Sequence, residues 1–305
     1  MSVERSELTP AASVDAAIAE TGEILAPDRP RRPRRGDAAR LVRAIEHLRR
    51  SGHAGAADAL LSTGFLRGGE ERYEQYVAPL MRRIPGGRFE MGSDSLRRRH
   101  FCGEAPRHGV ELTPFLLSEW PVVNGLFGLF RDDVLARSPA DASKPVVNVS
   151  WYEATLFAMW VGCRLPTEAE WELACGAGSE GEWCCADQAD LPAYAWYSEN
   201  AQGEIREVAA RAPNAFGLFD MHGNVWEWCS DCYDQDYYAR SPATDPVNLE
   251  DSQSHPADRV TRGGSVHSLA EMCRTRYRLH EPPAFWAGDL GFRLARNADE
   301  LGDSA

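Results

Sequence analysis

Residues Arg262-Gly-Gly-Ser-Val-His-Ser-Leu-Ala-Glu-Met-Cys273 place a hydroxyl, an imidazole, a second hydroxyl and a thiol on one short run behind a Gly-Gly turn. Side chains of these types act as nucleophiles, proton carriers or ligands for soft metal ions, and a thiol does so best once its pKa is lowered. His222, His267 and His280 are further donors for a transition metal, although a lone imidazole more often serves structure. Arg274 and Arg276 flank the thiol and either depress its pKa or pair with the many carboxylates of the chain.

Such side chains need a scaffold, and the sequence marks pieces of it. Ser150 caps a helix whose apolar positions Ala154, Phe157, Ala158 and Val161 recur at helical spacing until Gly162 ends it. Thr167, with Glu170 three residues on, makes a capping box for a second helix, so Thr167, Glu168 and Glu170 read as structural and not as an acid/base cluster. Ile84-Pro-Gly-Gly-Arg-Phe-Glu-Met-Gly-Ser93 alternates and turns like a strand entering a loop, and opens the main domain.

Upstream, Asp37 caps a helix with Leu41, Ile45 and Leu48 on one face; a second helix is predicted over residues 56–61 and a third through Tyr73, Val77 and Leu80. This helical extension, residues 37–83, is expected to pack on the main domain. Residues 1–36 are rich in Ala, Pro and Arg and read as a disordered tail, with a basic docking segment as the alternative. Residues 297–305 read as a second tail.

Composition bounds the rest. A chain of 305 residues can bury a large core, and nine tryptophans with nineteen prolines point to an aromatic, loop-rich fold and away from a helical bundle. A net charge of -13 argues against general nucleic-acid affinity, which rests on clustered Lys and Arg. No apolar run approaches the roughly 20 residues that span a bilayer. Eight cysteines are too few for a disulfide scaffold and the first ten residues lack a signal-peptide core, so a reducing cytoplasm is expected. Cys229-Ser-Asp-Cys232 has the spacing of zinc or redox motifs without the second pair that structural zinc requires. Cys184 and Cys185 read as ordinary thiols, and Cys163 and Cys175 as small hydrophobes beside helices.

A series of ordered blocks is more specific. Pro85-Gly-Gly-Arg-Phe-Glu-Met-Gly-Ser93 is followed by Glu104, Pro106, His108 and Val110, then by Asn148-Val-Ser-Trp-Tyr-Glu-Ala154 and Arg164-Leu-Pro-Thr-Glu-Ala-Glu-Trp-Glu172. Asn214-Ala-Phe-Gly-Leu-Phe-Asp220, Gly223-Asn-Val-Trp-Glu-Trp228, Arg262-Gly-Gly-Ser265 and Asp289-Leu-Gly-Phe-Arg293 complete the series. In order and spacing these resemble the sulfatase-modifying factor family, whose founding activity is the formylglycine-generating enzyme, over roughly residues 84–296. The resemblance implies an irregular α+β domain related to the C-type lectin fold, here with a short N-terminal helical extension.

It also implies sites. Active members carry two cysteines five residues apart after the Gly-Gly-Ser turn, which bind Cu(I) and engage a substrate thiol while O₂ is activated. Here the second position is Cys273 and the first is Ser268, and a neutral hydroxyl is a poor Cu(I) ligand, so a bis-thiolate site cannot form from this pair. Ser265 and Trp226 match residues lining the cleft, whereas Leu269 and Met272 replace polar or aromatic neighbours of the thiols. For Ca²⁺, the resemblance implies ligation by Asp220, Gly223, Val225 and Glu227, and hard Ca²⁺ takes such mixtures of carboxylates and carbonyls. A second family site begins at Asn200 and Ala201, but the segment after it is shortened.

Three readings follow. In one, the protein is a metal- and O₂-dependent oxidoreductase with altered ligation, Cys273 joining His267, His222 or His280 around copper or iron. In another, Cys273 alone captures a cysteine or serine of a peptide or protein substrate. In the third, the fold persists without the chemistry as a binding module, the extension docking a protein partner. The oxidoreductase, acting on a peptide, protein or small molecule, is the leading expectation and the module its alternative.

Overall fold

The computed structural model describes residues 35–50, 57, 66–94, 103–131, 139–250, 255 and 257–298. Three longer helices lie among them, α1 (Arg35–Arg50), α2 (Trp151–Trp160) and α3 (Glu168–Gly176). The strands follow as β1 (Met81–Ile84), β2 (Gly87–Met91), β3 (His108–Leu112), β4 (Phe115–Ser118), β5 (Trp226–Cys232), β6 (Arg259–Arg262), β7 (Leu279–Glu281), β8 (Leu290–Gly291) and β9 (Ala295–Asn297). They form a sheet ordered β1-β4-β9, a β2-β3 hairpin and a sheet ordered β7-β6-β5-β8, in which only the β5-β8 pair is parallel. The architecture is the expected α+β fold with long irregular connections. Among the described residues no helix is long and apolar enough to cross a membrane.

Both capping boxes form. Ser150 accepts from the Glu153 amide while Glu153 accepts from the Ser150 amide, starting α2; Thr167 and Glu170 repeat the exchange at the start of α3. Each box satisfies two amides that a helix N-terminus would otherwise leave without acceptors. Gly162 ends α2 at φ +71, and a side chain there would press on the backbone of Gly69. The stop is therefore also a contact between the domain and the extension.

The extension is part of the core. Leu41, Val42, Ile45 and Leu48 of α1 are fully buried in one apolar cluster with Leu156 and Phe157 of α2, and Arg43 donates to the Tyr152 hydroxyl at 3.0 Å. Burying four such side chains stabilises by roughly 1.5–3 kcal/mol each, which ties the extension firmly to the domain. The apolar stripe that a docking helix would offer a partner is thus covered from within. Asp37 lies in the first turn of α1 and is not its cap, because the helix already begins at Arg35. The third predicted helix is a run over residues 69–80 that passes from α through π to 3-10 geometry and buries Tyr73 and Val77. The helix expected over residues 56–61 lies outside the described residues apart from the buried Ala57, as do residues 1–34 and 299–305 of the tails. Asn297, assigned to the C-terminal tail by sequence, closes β9.

Candidate functional site

β6 delivers Arg262 into the interior and then the chain turns through Gly263 and Gly264, at φ +99 and +76. A Cβ at Gly264 would lie 2.6 Å from Cys273 Sγ, so the turn requires glycine both for its backbone and for the closeness of the thiol. Ser265 then donates to Asp289 Oδ2 at 2.7 Å, and its amide donates to Ser268 Oγ at 2.9 Å. Ser268 is buried, and its hydroxyl closes the turn that the Gly-Gly pair opens. Trp226 joins this arrangement through its amide, which donates to the Asp289 carbonyl at 2.8 Å. Ser265, Ser268 and Trp226 are therefore brought together, with Asp289 as the common anchor. Asp289 stands in one of the sequence blocks quoted above, yet no role was assigned to it, because the partner it holds is 24 residues away.

Cys273 faces the back of the turn. It is fully buried in a small cluster with Trp183, Leu191, Ala195, Tyr197 and Ala270, and burial pushes its thiol up to about 12. Of the two alternatives for Arg274 and Arg276, lowering the thiol pKa or engaging other partners, the structure shows the second. Arg274 forms a bidentate pair with Glu104 at 2.8 and 3.1 Å, and Arg276 donates to the Gly181 carbonyl at 2.9 Å. Both cations are held by other partners, so desolvation of the thiol is unopposed.

The histidines do not converge on this thiol. His267 is exposed beside Gly203. His222 is buried, its Nδ1 2.7 Å from the Cys273 carbonyl and its Nε2 accepting from the Cys184 amide at 3.1 Å. An amide can only donate, so Nε2 is bare, Nδ1 carries the proton, and neither nitrogen is left for a metal. Burial lowers the pKa of His222 to about 4, in keeping with a neutral ring. His280 lies on β7 opposite Val260, away from the Gly-Gly turn. The expected cluster of Cys273 with His267, His222 or His280 is therefore not assembled, and a Cu(I) bis-thiolate does not fit a turn whose first position is the committed hydroxyl of Ser268.

The two loops proposed for calcium differ. In the first, Asp220, Gly223 and Asn224 have left-handed φ of 56, 80 and 60, and the Gly223 carbonyl accepts from the Val225 amide at 2.8 Å. Asp220 is buried; its Oδ2 accepts from the Ala209 amide at 2.9 Å, but Oδ1 has only the long 3.4 Å approach of the Asn224 side chain. Burial, reinforced by the nearby Glu227, raises its carboxyl to about 6. A buried carboxylate with an under-used oxygen fits a hard cation. Glu227 contributes less than expected, because Arg293 holds it at 2.7 and 2.8 Å and the Trp171 indole donates to it at 2.8 Å.

In the second loop, the Asn200 side chain accepts from the Tyr197 amide at 2.9 Å and donates to the Ala195 carbonyl at 2.9 Å. The Ala201 carbonyl accepts from Arg206 Nη2 at 2.7 Å and from the Glu204 amide. Asn200 and Ala201 do not fit a metal ion, since the Arg206 guanidinium already supplies the positive charge. Nothing in the local sequence pattern distinguished Arg206 from an ordinary surface arginine.

Beneath both lies a frame of buried ion pairs. Arg262 donates to Glu168 at 2.9 Å and to Glu172, while Arg278 donates to Glu168 at 2.6 and 2.8 Å. Burial alone would raise the Glu168 carboxyl, but Arg278 and Arg262 overcome it and hold the group below its ordinary value. Glu168 and Glu170 are structural as expected, one in this frame and the other in its capping box. The Cys229 and Cys232 pair is buried in β5, and burial pushes Cys229 well up, which suits packing and not redox exchange.

Known proteins are similar to this chain in sequence and in fold. A family described as "Sulfatase-modifying factor enzyme 1-like domain" matches residues 70–298. The formylglycine-generating enzyme of Streptomyces coelicolor is 33% identical over 290 residues, covering 73% of this chain and 91% of that protein. The inactive C-alpha-formylglycine-generating enzyme 2 of Bos taurus is 30% identical over 284 residues, covering 72% of this chain and 88% of that protein. Among solved structures, PvdO from Pseudomonas aeruginosa is similar with a TM-score of 0.61 and 25% identity, over 71% of this chain and 94% of that one. With a family match over residues 70–298, relatives at 30% identity or more over most of their length, and an irregular, C-type-lectin-like α+β architecture, the chain belongs to the sulfatase-modifying factor family.

Proposed function

We propose that this chain is a polypeptide-binding module on the sulfatase-modifying-factor fold, without the copper-dependent thiol oxidation of the founding activity. The supporting observation is the state of Cys273: buried against Gly264, raised to about 12, and without a second thiol because Ser268 closes the turn. Cu(I) ligation and disulfide capture both need an accessible thiolate, and this group is neither accessible nor ionised near neutral pH. The exposed Leu269 and the exposed Phe285 and Trp286 sit on the two segments that the Ser265–Asp289 bond joins, which offers apolar contact for a peptide at the mouth of the turn.

Asp220, with the carbonyls of Gly223 and Val225, would hold Ca²⁺, which supplies a fixed positive charge to a buried carboxylate and stiffens the loop leading into β5. Glu227 adds to the field of that site while remaining paired with Arg293. The oxidoreductase reading is favoured by the 33% identity to a formylglycine-generating enzyme, and one experiment separates the two. O₂ consumption and thiol loss are followed with a cysteine-containing peptide and supplied copper, and peptide binding is followed by fluorescence anisotropy. The module reading expects no turnover above copper alone and binding that Leu269→Asp weakens. Turnover abolished by Cys273→Ala would replace it with the oxidoreductase.

A further inference from the structure

We propose that His255, Asp258 and His280 form a site for a divalent transition-metal ion of the zinc class, at the end of the β6-β7 pair remote from the Gly263-Gly264 turn. One ligand atom from each of the three lies within 4.8 Å of the others. Asp258 Oδ2 is 2.8 Å from His280 Nδ1 and 3.7 Å from His255 Nδ1. Tetrahedral ligands at zinc bonds of about 2.0–2.1 Å sit roughly 3.4 Å apart, so the observed separations bracket what the ion needs and small side-chain rotations close the set.

The fold holds these groups in place. His280 is fixed on β7 by its pairing with Val260, and its ring stacks on Tyr233 at 4.0 Å. Asp258 precedes β6 and its carbonyl accepts from the Tyr233 amide at 2.8 Å. His255 reaches the same point by a short turn, its carbonyl accepting from the Asp258 amide, and its ring centroid lies 4.3 Å from that of His280. Two imidazoles and one carboxylate are a donor set of the kind that binds Zn²⁺ or Fe²⁺.

A bound ion would take the place of the proton that His280 Nδ1 now shares with Asp258 Oδ2. The side chains of His255, Asp258 and His280 remain 33%, 16% and 26% exposed, which leaves one side open for a water or an external ligand. Neither Cys273 nor the Asp220 loop contributes, so this site stands or falls apart from the function proposed above.

The test uses tag-free full-length protein stripped with chelator and titrated with Zn²⁺ and with Co²⁺. The expected result is one equivalent of each ion, with a visible tetrahedral Co²⁺ spectrum that lacks thiolate charge-transfer bands. His255→Ala and Asp258→Asn should each weaken Zn²⁺ binding at least tenfold, comparable to the known cost of disturbing a ligand's surroundings. A circular-dichroism melt confirms that both variants are folded. The proposal is overturned if no stoichiometric ion binds, if Co²⁺ shows thiolate bands, or if the double variant binds as the parent does.

Discussion

The frame around Glu168 and the loop from Asp220 to Val225 are equally buried, yet they treat charge in opposite ways. In the frame, carboxylates on α3 meet guanidiniums sent from Arg262 on β6 and Arg278 before β7, and Glu168 stays ionised although no water reaches it. In the loop, Asp220 has no cation of its own because Arg293 is committed to Glu227, and its carboxyl drifts toward the neutral form. Cys273 and His222 behind the loop are neutral, since burial pushes the thiol up and the imidazole down. Burial does not decide the ionisation state; the arrival of a partner from a distant segment does.

The most severe way to break this contrast is to remove a cation from the frame. Arg262→Met strands Glu172 and half of the Glu168 pairing, and urea unfolding at pH 7 should show a loss of about 3–5 kcal/mol. A second substitution, Glu172→Gln, should recover part of that loss. A single variant within about 0.5 kcal/mol of the parent, the cost of an ordinary surface change, would mean that the frame is not what holds α3 to β6.

Asp231 sharpens the same point from inside the frame. It accepts from the Glu168 and Asn248 amides and from the Ser230 hydroxyl, yet burial together with Glu168 raises it to about 7. A carboxyl whose folded pKa is raised stabilises fully below its unfolded pKa and loses that contribution as pH rises through the folded value. Stability should therefore fall between about pH 4 and pH 7, by at most about 4 kcal/mol from this group at 1.36 kcal/mol per pKa unit. Asp231→Asn should flatten that fall, and a parent-like slope in the variant assigns it to other groups.

Calcium probes the loop. At a free concentration near 100 times its Kd the ion should add about 2.7 kcal/mol, lost on chelation and absent in Asp220→Asn. Asn200→Ala should leave the calcium response intact, and a response abolished by that variant would move the site to the second loop. The smallest effect is expected at Arg206, where replacement by Gln removes one hydrogen bond to the Ala201 carbonyl and should cost about 1 kcal/mol. If that variant instead binds a second calcium ion, the guanidinium has been acting as the cation of that loop.

How much of this was legible in the sequence depended on the distance over which each feature is encoded. The capping boxes at Ser150 and Thr167 and the stop at Gly162 are written within four residues and appear where expected. The ordered blocks pointed to the family and to the turn that Ser265 and Ser268 share. Partnerships across more than ninety residues, such as Arg262 with Glu168 and Arg274 with Glu104, had no local signature. The choice left open for Arg274 could not be made for that reason: it is the neighbour of Cys273 in sequence but is held by Glu104 in space. Arg206 escaped notice because a shortened loop says that ligands are missing, not what replaces them.

The close approach of Gly264 to Cys273 turns the thiol into a timer. An alkylating reagent cannot reach the sulfur while the turn is closed, so its rate of labelling at high reagent concentration equals the rate at which the turn opens. At low concentration the same rate, divided by that of an unhindered thiol, gives the free energy of opening. The residue that would have been a catalyst thus becomes a natural gauge of how often this cleft breathes, read without any label introduced by design.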